Sequence, residues 1–117
     1  MINFAPGTKV HLACQPVDMR KGMDGLSAQV GMMMKLDPFC GHLFVFRGKR
    51  SDRVKIIYWD GTGLCLLSKR HEHGRFVWPR VLGECLELSA GQLTLLLEGI
   101  DWRGTMRVAA KVAPSLA

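Results

Sequence analysis

Alternating apolar and polar residues mark several short segments of the chain as β-strands. In residues 9–14, Val10 and Leu12 alternate with His11, which predicts a first strand. Four further strands are predicted over residues 42–47, 53–59, 64–69 and 75–78, and residues 85–88 allow one more short strand. These runs are rich in aromatic and β-branched residues and are joined by short glycine-containing connectors, so they are typical of an antiparallel meander.

Two helices are predicted around these strands. The first ends before Pro38, and its apolar residues have the spacing of a core-facing helix: Met23, Leu26, Val30 and Met33 or Met34. The second starts after Ser89, which forms a capping-box pattern with Gln92, and Gly99 is a natural stop for it. The order of elements predicts an α+β fold, a single domain with an antiparallel β-meander of four to five strands packed against two helices that cover one face.

The chain has 117 residues, which fits one domain. We expect a single α+β domain to occupy residues 1–103 and a flexible basic tail to occupy residues 104–117. Hydrophobic residues make up 48% and charged residues 22%, a balance that excludes a mainly disordered chain. No apolar run approaches a membrane span and residues 1–6 do not resemble a signal peptide. We therefore expect a soluble, cytoplasmic protein with no membrane partner.

Positive charge is concentrated in one third of the sequence. The whole chain carries a net charge of +6, and residues 47–80 hold nine of the basic residues but only three acidic ones. This asymmetry suggests a polyanionic partner, with nucleic acid first and an anionic membrane surface second. The alternative is a basic protein without such a partner.

The predicted meander gathers this charge at one end of the sheet. Alternate connectors of a meander lie at the same end, so residues 48–52 and 70–74 would lie together, roughly 10 Å apart. Together they would form what we call the basic rim: Arg47, Lys49, Arg50, Arg53, Lys69, Arg70 and Arg75. Arginine donates two parallel hydrogen bonds to a phosphate, which suits DNA backbone binding. The same topology predicts that Arg80 lies toward the opposite end. The alternative to DNA binding by the basic rim is that these charged hairpin loops serve only solubility.

Patterns typical of enzymes and metal sites are absent from the sequence. The acidic residues are scattered, and neither a P-loop nor a nucleophile elbow is present. The four cysteines stand 20 or more residues apart with no Cys-x-x-Cys pair, which favours free thiols over a zinc site. We expect no catalytic residue, no metal and no cofactor. Six aromatic residues could stack unpaired bases if exposed, although packing in the core is the commoner role: Phe44, Phe46, Tyr58, Trp59, Phe76 and Trp78.

Five short motifs resemble one known family. In order, they are Val17-Asp-Met-Arg-Lys-Gly22, Asp37-Pro38-x-x-Gly41-x-Leu-Phe-Val-Phe46, Tyr58-Trp-Asp-Gly-Thr-Gly63, Lys69-Arg70-x-x-x-Gly74-Arg-Phe-x-Trp-Pro79 and Leu96-Leu-Glu-Gly-Ile-Asp-Trp102. Together they resemble the TnpB accessory protein of the insertion sequence 66 family of bacterial transposable elements. The resemblance covers roughly residues 10–102. It implies a non-catalytic protein that assists transposition beside a DDE-type transposase and another accessory protein.

The sequence therefore predicts an accessory protein of DNA transposition that binds the DNA backbone through the basic rim. The alternative is a protein adaptor that holds the transposase or another accessory subunit and has little direct contact with DNA. Salt dependence of DNA binding separates the two hypotheses, because phosphate contacts release counterions.

Overall fold

The computed structural model describes residues 6–80, 83 and 85–106. Within them, five strands form one sheet between two helices. The strands are β1 (Val10–Ala13), β2 (Leu43–Arg47), β3 (Arg53–Trp59), β4 (Leu64–Arg70) and β5 (Cys85–Leu88). The helices are α1 (Met23–Gln29), which continues as a π-helical segment over Val30–Met34, and α2 (Ala90–Leu97), which a 3-10 turn at Arg103–Thr105 follows.

The strand order is β4-β3-β2-β1-β5, and the sheet is mixed. The predicted α+β class is confirmed, but the sheet is not purely antiparallel because β1 pairs with β2 in parallel, with Leu12 opposite Val45. The physical reason is the connection between them. Short hairpins join β2 to β3 and β3 to β4, whereas a long crossover that contains α1 joins β1 to β2, and crossovers of this kind return the chain in the same direction.

Residues 75–78 do not form a strand, and this prediction is wrong. Phe76 and Trp78 are only 2% and 7% exposed, because both side chains pack in the core on the α2 side of the sheet. The backbone N–H of Phe76 donates to the carbonyl of Ser51 at 2.8 Å, which is a loop contact rather than a ladder contact. Alternating burial of two aromatic residues produced the strand-like pattern. The fifth strand is β5, which pairs antiparallel with β1.

The two helices lie on opposite faces of the sheet, so the prediction that both cover one face is wrong. Leu26 and Val30 pack with Phe44 and Phe46 on what we call the α1 face. The α2 face buries a larger cluster: Leu93, Leu96 and Leu97 with Leu43, Val45, Val54, Ile56 and Trp102. The inner strand β1 is buried along its whole length, which requires cover on each face.

The predicted start of α2 is confirmed in detail. The Ser89 hydroxyl accepts a hydrogen bond from the Gln92 backbone N–H at 3.1 Å, and the Gln92 side chain accepts from the Ser89 backbone N–H at 2.8 Å. This is a complete capping box that satisfies two otherwise unpaired donors. The side chain of Gln92 also donates to Thr105 at 3.2 Å, which places residues 104–106 against α2. The remainder of the predicted tail, residues 107–117, lies outside the described residues.

Removing this cap should destabilise the protein. We expect Ser89→Ala to lower the free energy of unfolding by about 0.5–2 kcal/mol, measured by urea denaturation, because the first turn of α2 loses its acceptor. Ser68→Ala is the matched control, since Ser68 is an exposed serine on β4 with no side-chain hydrogen bond to the described part of the chain. Equal stability of both variants would contradict the capping role.

A pair of histidines links β1 to the start of β2. His11 is 9% exposed, its Nε2 lies 3.1 Å from Nδ1 of His42, and its ring stacks on Phe44 with centroids 5.3 Å apart. Burial, and then the neighbouring His42, lower the pKa of His11 from its ordinary value of 6.5. Two smaller effects follow: Glu87 on β5 raises this pKa, and Lys9 lowers it. The folded protein therefore holds His11 neutral at neutral pH.

Stability should fall in mild acid for this reason. Below about pH 6.5 the unfolded chain takes up a proton on His11 while the folded chain resists it, so protonation stabilises the unfolded state relative to the folded state. We expect the urea midpoint to be constant above about pH 7.5 and to decrease toward pH 5.5. The decrease should be smaller in His11→Gln. An identical pH profile in that variant would contradict the role of His11.

Candidate nucleic-acid interface

Three loops meet at one end of the sheet. We call them L1 (residues 14–22, after β1), L2 (48–52, between β2 and β3) and L3 (71–75, after β4). The backbone N–H of Val17 in L1 donates to the Arg47 carbonyl at 2.9 Å, and that of His71 in L3 donates to the Asp52 carbonyl at 2.8 Å. L2 and L3 share an end as the sequence predicts, and they lie in direct contact, closer than the expected 10 Å.

A cleft of about 470 Å³ lies along the junction of L2 and L3, and cations line it. Lys49, Arg50 and Arg75 contribute to its walls, together with Ser51, Asp52 and Gly74. All three basic side chains are exposed. Among the described residues, no hydrogen bond or ion pair engages their charged groups. One acid, Asp52, lies in the same cleft. The cleft therefore presents three available cations to a ligand.

Two further arginines of the basic rim lie side by side at the ends of β3 and β4. Arg53 pairs directly with Arg70 in the antiparallel register, so both side chains project from the α1 face. Arg70 also forms an exposed ion pair with Glu72, with Nε 2.9 Å from the carboxylate, and this contact raises the pKa of Arg70. Like charges directly opposite each other in a sheet repel. An anionic ligand would relieve that repulsion.

Two predicted residues, Arg47 and Lys69, are engaged in contacts within the protein, and of these Arg47 is partly buried while Lys69 is exposed. The Arg47 guanidinium lies 5.2 Å from the Trp78 ring centroid, and burial lowers the pKa of Arg47. Lys69 donates through Nζ to the Leu97 carbonyl at 2.6 Å, at the C-terminal end of α2. Cations at this position stabilise a helix end. Of the seven predicted rim residues, all but Arg47 are exposed, although Lys69 is held by its contact with α2.

The structure removes the reason for expecting Arg80 at the opposite end of the sheet. The connector between β4 and β5 starts at Arg70 and ends at Cys85, and both lie at the end of the sheet that carries the basic rim. A strand at residues 75–78 would have carried Arg80 to the far end, but no strand forms there. Lys9 is a better reference cation, because it is exposed and precedes β1 at the opposite end of the sheet.

Sequence reasoning missed the contribution of L1. A hollow of about 500 Å³ lies between L1 and L2, and Arg20 lines it together with Lys49, Arg50 and Arg53. Arg20 is held by Asp18 through two hydrogen bonds of 3.0 and 2.8 Å, which hold the pKa of Asp18 well below its usual range. The long connection between β1 and β2 was the available signal. It implies parallel strands, and parallel strands end at the same edge.

Four of the six candidate stacking aromatics are core residues. Phe44 and Phe46 are buried on the α1 face, and Phe76 and Trp78 on the α2 face. Tyr58 and Trp59 are half-buried. Within residues 6–80, 83 and 85–106, no cluster of three or more metal-ligating side chains is present. The same residues contain no helix long and apolar enough to cross a membrane.

The fold and these loops define a small α+β protein with one strongly cationic end. The chain belongs to the IS66 Orf2-like protein family (TnpB of IS66), whose model matches residues 8–107. This confirms the resemblance carried by the five sequence motifs. Membership implies an accessory role in the transposition of an insertion sequence.

Two similar proteins come from Sinorhizobium fredii (strain NBRC 101917 / NGR234). The uncharacterized protein y4jC is 45% identical over 111 residues, which are 95% of each chain. The uncharacterized protein y4hO is 44% identical over 103 residues, which are 88% of this chain and 90% of y4hO. No solved structure matches the chain.

Proposed function

We propose that this protein assists transposition by binding the DNA backbone through the basic rim, without catalysing a reaction itself. The observation that carries the proposal is the convergence of L2 and L3 on one cleft. Lys49 and Arg50 reach that cleft from one loop and Arg75 from the other, although 25 residues of sequence separate Arg50 from Arg75. Phosphate groups are the ligands that such a cluster of lysine and arginine side chains prefers.

The unpaired positive charges of the basic rim support a polyanionic ligand. Lys49, Arg50, Arg53 and Arg75 are exposed cations that lack an ion-pair partner in the described structure. Two of the acids nearby are engaged, because Asp18 is paired with Arg20 and Glu72 with Arg70, whereas Asp52 lies in the cleft without an ion pair in the described structure. Carboxylates held by arginine are poorly placed to bind catalytic metal ions. This pairing supports a binding role over a hydrolytic one.

A salt titration tests the proposal. Four unpaired cations that neutralise four phosphates would give a slope of log K against log salt of about −3.6. Fluorescence anisotropy of a labelled duplex, measured from about 50 to 200 mM KCl, gives this slope directly. Because phosphate contacts position a protein without reading bases, DNA from the element's ends and unrelated DNA should give similar slopes. A slope near zero would overturn the proposal.

The adaptor hypothesis is the second candidate, and a different surface favours it. β4 is an edge strand that pairs with β3 alone among the described strands. Large apolar side chains are also exposed elsewhere, with Met32 at 65% and Phe39 at 55%. Open strand edges and exposed apolar groups are features that protein partners use. Binding of the purified transposase that is insensitive to salt, together with weak DNA binding, would favour this candidate.

A further inference from the structure

The hollow between L1 and L2 has two chemically different sides. Lys49, Arg50 and Arg53 bring positive charge to it, and Arg20 lines it as the ion-pair partner of Asp18. Val17 and Met19 bring apolar surface. Both apolar side chains are partly buried against the core of the α1 face, so they form a fixed wall. A volume of about 500 Å³ lies in the range of small-molecule sites. A phosphate contact alone needs neither the apolar wall nor this volume.

The wall is held in place from several directions. L1 is fixed to the sheet by the Val17 N–H, which donates to the Arg47 carbonyl at 2.9 Å. It is fixed again by Lys55, whose Nζ donates to the Lys21 carbonyl at 2.9 Å. Met19 lies directly on the backbone of Gly48, where an added Cβ would come within 2.6 Å of the Met19 Cγ. The hollow is therefore a formed feature of the fold.

The hollow shares two lining residues with the cleft to which the proposed function assigns DNA binding. Lys49 and Arg50 line the hollow on one side of L2 and the cleft on the other. A strand whose phosphates lie along L2 would bring the adjoining base to the apolar wall. Apolar side chains such as methionine and valine contact bases that have left the helical stack, and a base in a duplex cannot enter such a hollow.

We propose that the hollow between L1 and L2 receives one unpaired nucleotide of the bound DNA. Its base packs against Val17 and Met19, and its phosphate binds Lys49 and Arg50. This inference rests on the proposed function and adds the kind of DNA that the protein prefers, which is duplex with an unpaired nucleotide at its end or within it.

The test compares two DNA ligands that differ by one nucleotide. One is a short blunt duplex, and the other is the same duplex with a single unpaired 2-aminopurine nucleotide at its 5′ end. We expect the second to bind about tenfold more tightly, in line with the contribution of one packed base. Its 2-aminopurine fluorescence should change on binding. In Met19→Ala the ratio of the two affinities should fall to about one.

Met32→Ala is the matched control, because Met32 is an exposed methionine on the π-helical segment outside the hollow. It should keep the tenfold ratio. If Met19→Ala does not fold, Val17→Ala removes the other half of the wall and should have the same effect. Equal affinity of wild-type protein for both ligands, with blunt duplex still bound in a salt-dependent manner, would overturn this inference and leave the proposed function intact.

Other outcomes are equally decisive. Absence of binding to either DNA would overturn the proposed function, and this inference with it. Competition by free dAMP as strong as that by the overhang DNA would assign the hollow to a free nucleotide and overturn its assignment to DNA. Binding of the transposase that depends on Met19, without an overhang preference, would assign the hollow to a protein contact and also overturn the inference.

Discussion

Replacing Arg50 and Arg75 together with glutamine should remove half of the salt dependence of DNA binding. Wild-type affinity should fall about 150-fold between 50 and 200 mM salt if four phosphates are neutralised, and that of the double variant only about 12-fold. The physical reason is that each lost phosphate contact releases about one counterion fewer. Anisotropy titrations at both salt concentrations measure the two ratios. The single variants should each show an intermediate dependence, since the residues approach one cleft from different loops.

Lys9→Gln is the control for that experiment. It removes the same unit of charge from an exposed position, but at the end of β1 opposite to the basic rim. Its slope should match that of the wild-type protein. If Lys9→Gln flattens the slope as much as Arg50→Gln does, binding is spread over the whole basic surface. The rim would then have no special role, and the adaptor hypothesis would be favoured.

Local signals in the sequence predicted local structure well. The capping box of Ser89 and Gln92 placed the start of α2, since both partners lie within four residues and need no tertiary context. Glycine-containing connectors placed the two hairpins that join β2, β3 and β4. The long-range arrangement was less predictable. Residues 75–78 have strand-like alternation because Phe76 and Trp78 are both buried, and alternation alone does not reveal whether a neighbouring strand is available.

The candidate site was predictable where it depends on hairpins and unpredictable where it depends on the core. L2 and L3 share one end because β3 and β4 form a hairpin. The burial of Arg47 follows from Trp78, which reaches it from a segment 31 residues later in the sequence. The contribution of Arg20 follows from the parallel pairing of β1 and β2. Neither contact has a signature within a short sequence window.

The position of residues 76–78, which follow L3, depends on Trp102. Its side chain is fully buried in the core of the α2 face, and its indole N–H donates to the Val77 carbonyl at 2.8 Å. Val77 lies between Phe76 and Trp78, so this bond holds the chain where both aromatic side chains are buried. Trp102 and this segment belong to two of the five family motifs. The two motifs are therefore in direct contact in the fold, which gives a physical reason for their occurrence together.

Trp102→Ala should therefore lower the free energy of unfolding by about 3–5 kcal/mol, because a large buried side chain is replaced by a cavity. Urea denaturation measures the loss. Trp102→Phe keeps most of the packing but leaves the Val77 carbonyl without its donor, and should cost about 1–3 kcal/mol. Trp59→Phe is the control, since Trp59 is half-buried at the end of β3, and its cost should be smaller than that of Trp102→Phe.

If Trp102→Phe were as stable as wild type, the hydrogen bond to the Val77 carbonyl would not hold residues 76–78 in place. Loss of the salt-dependent DNA binding in Trp102→Phe, measured where the variant is still folded, would show that the position of L3 depends on this contact.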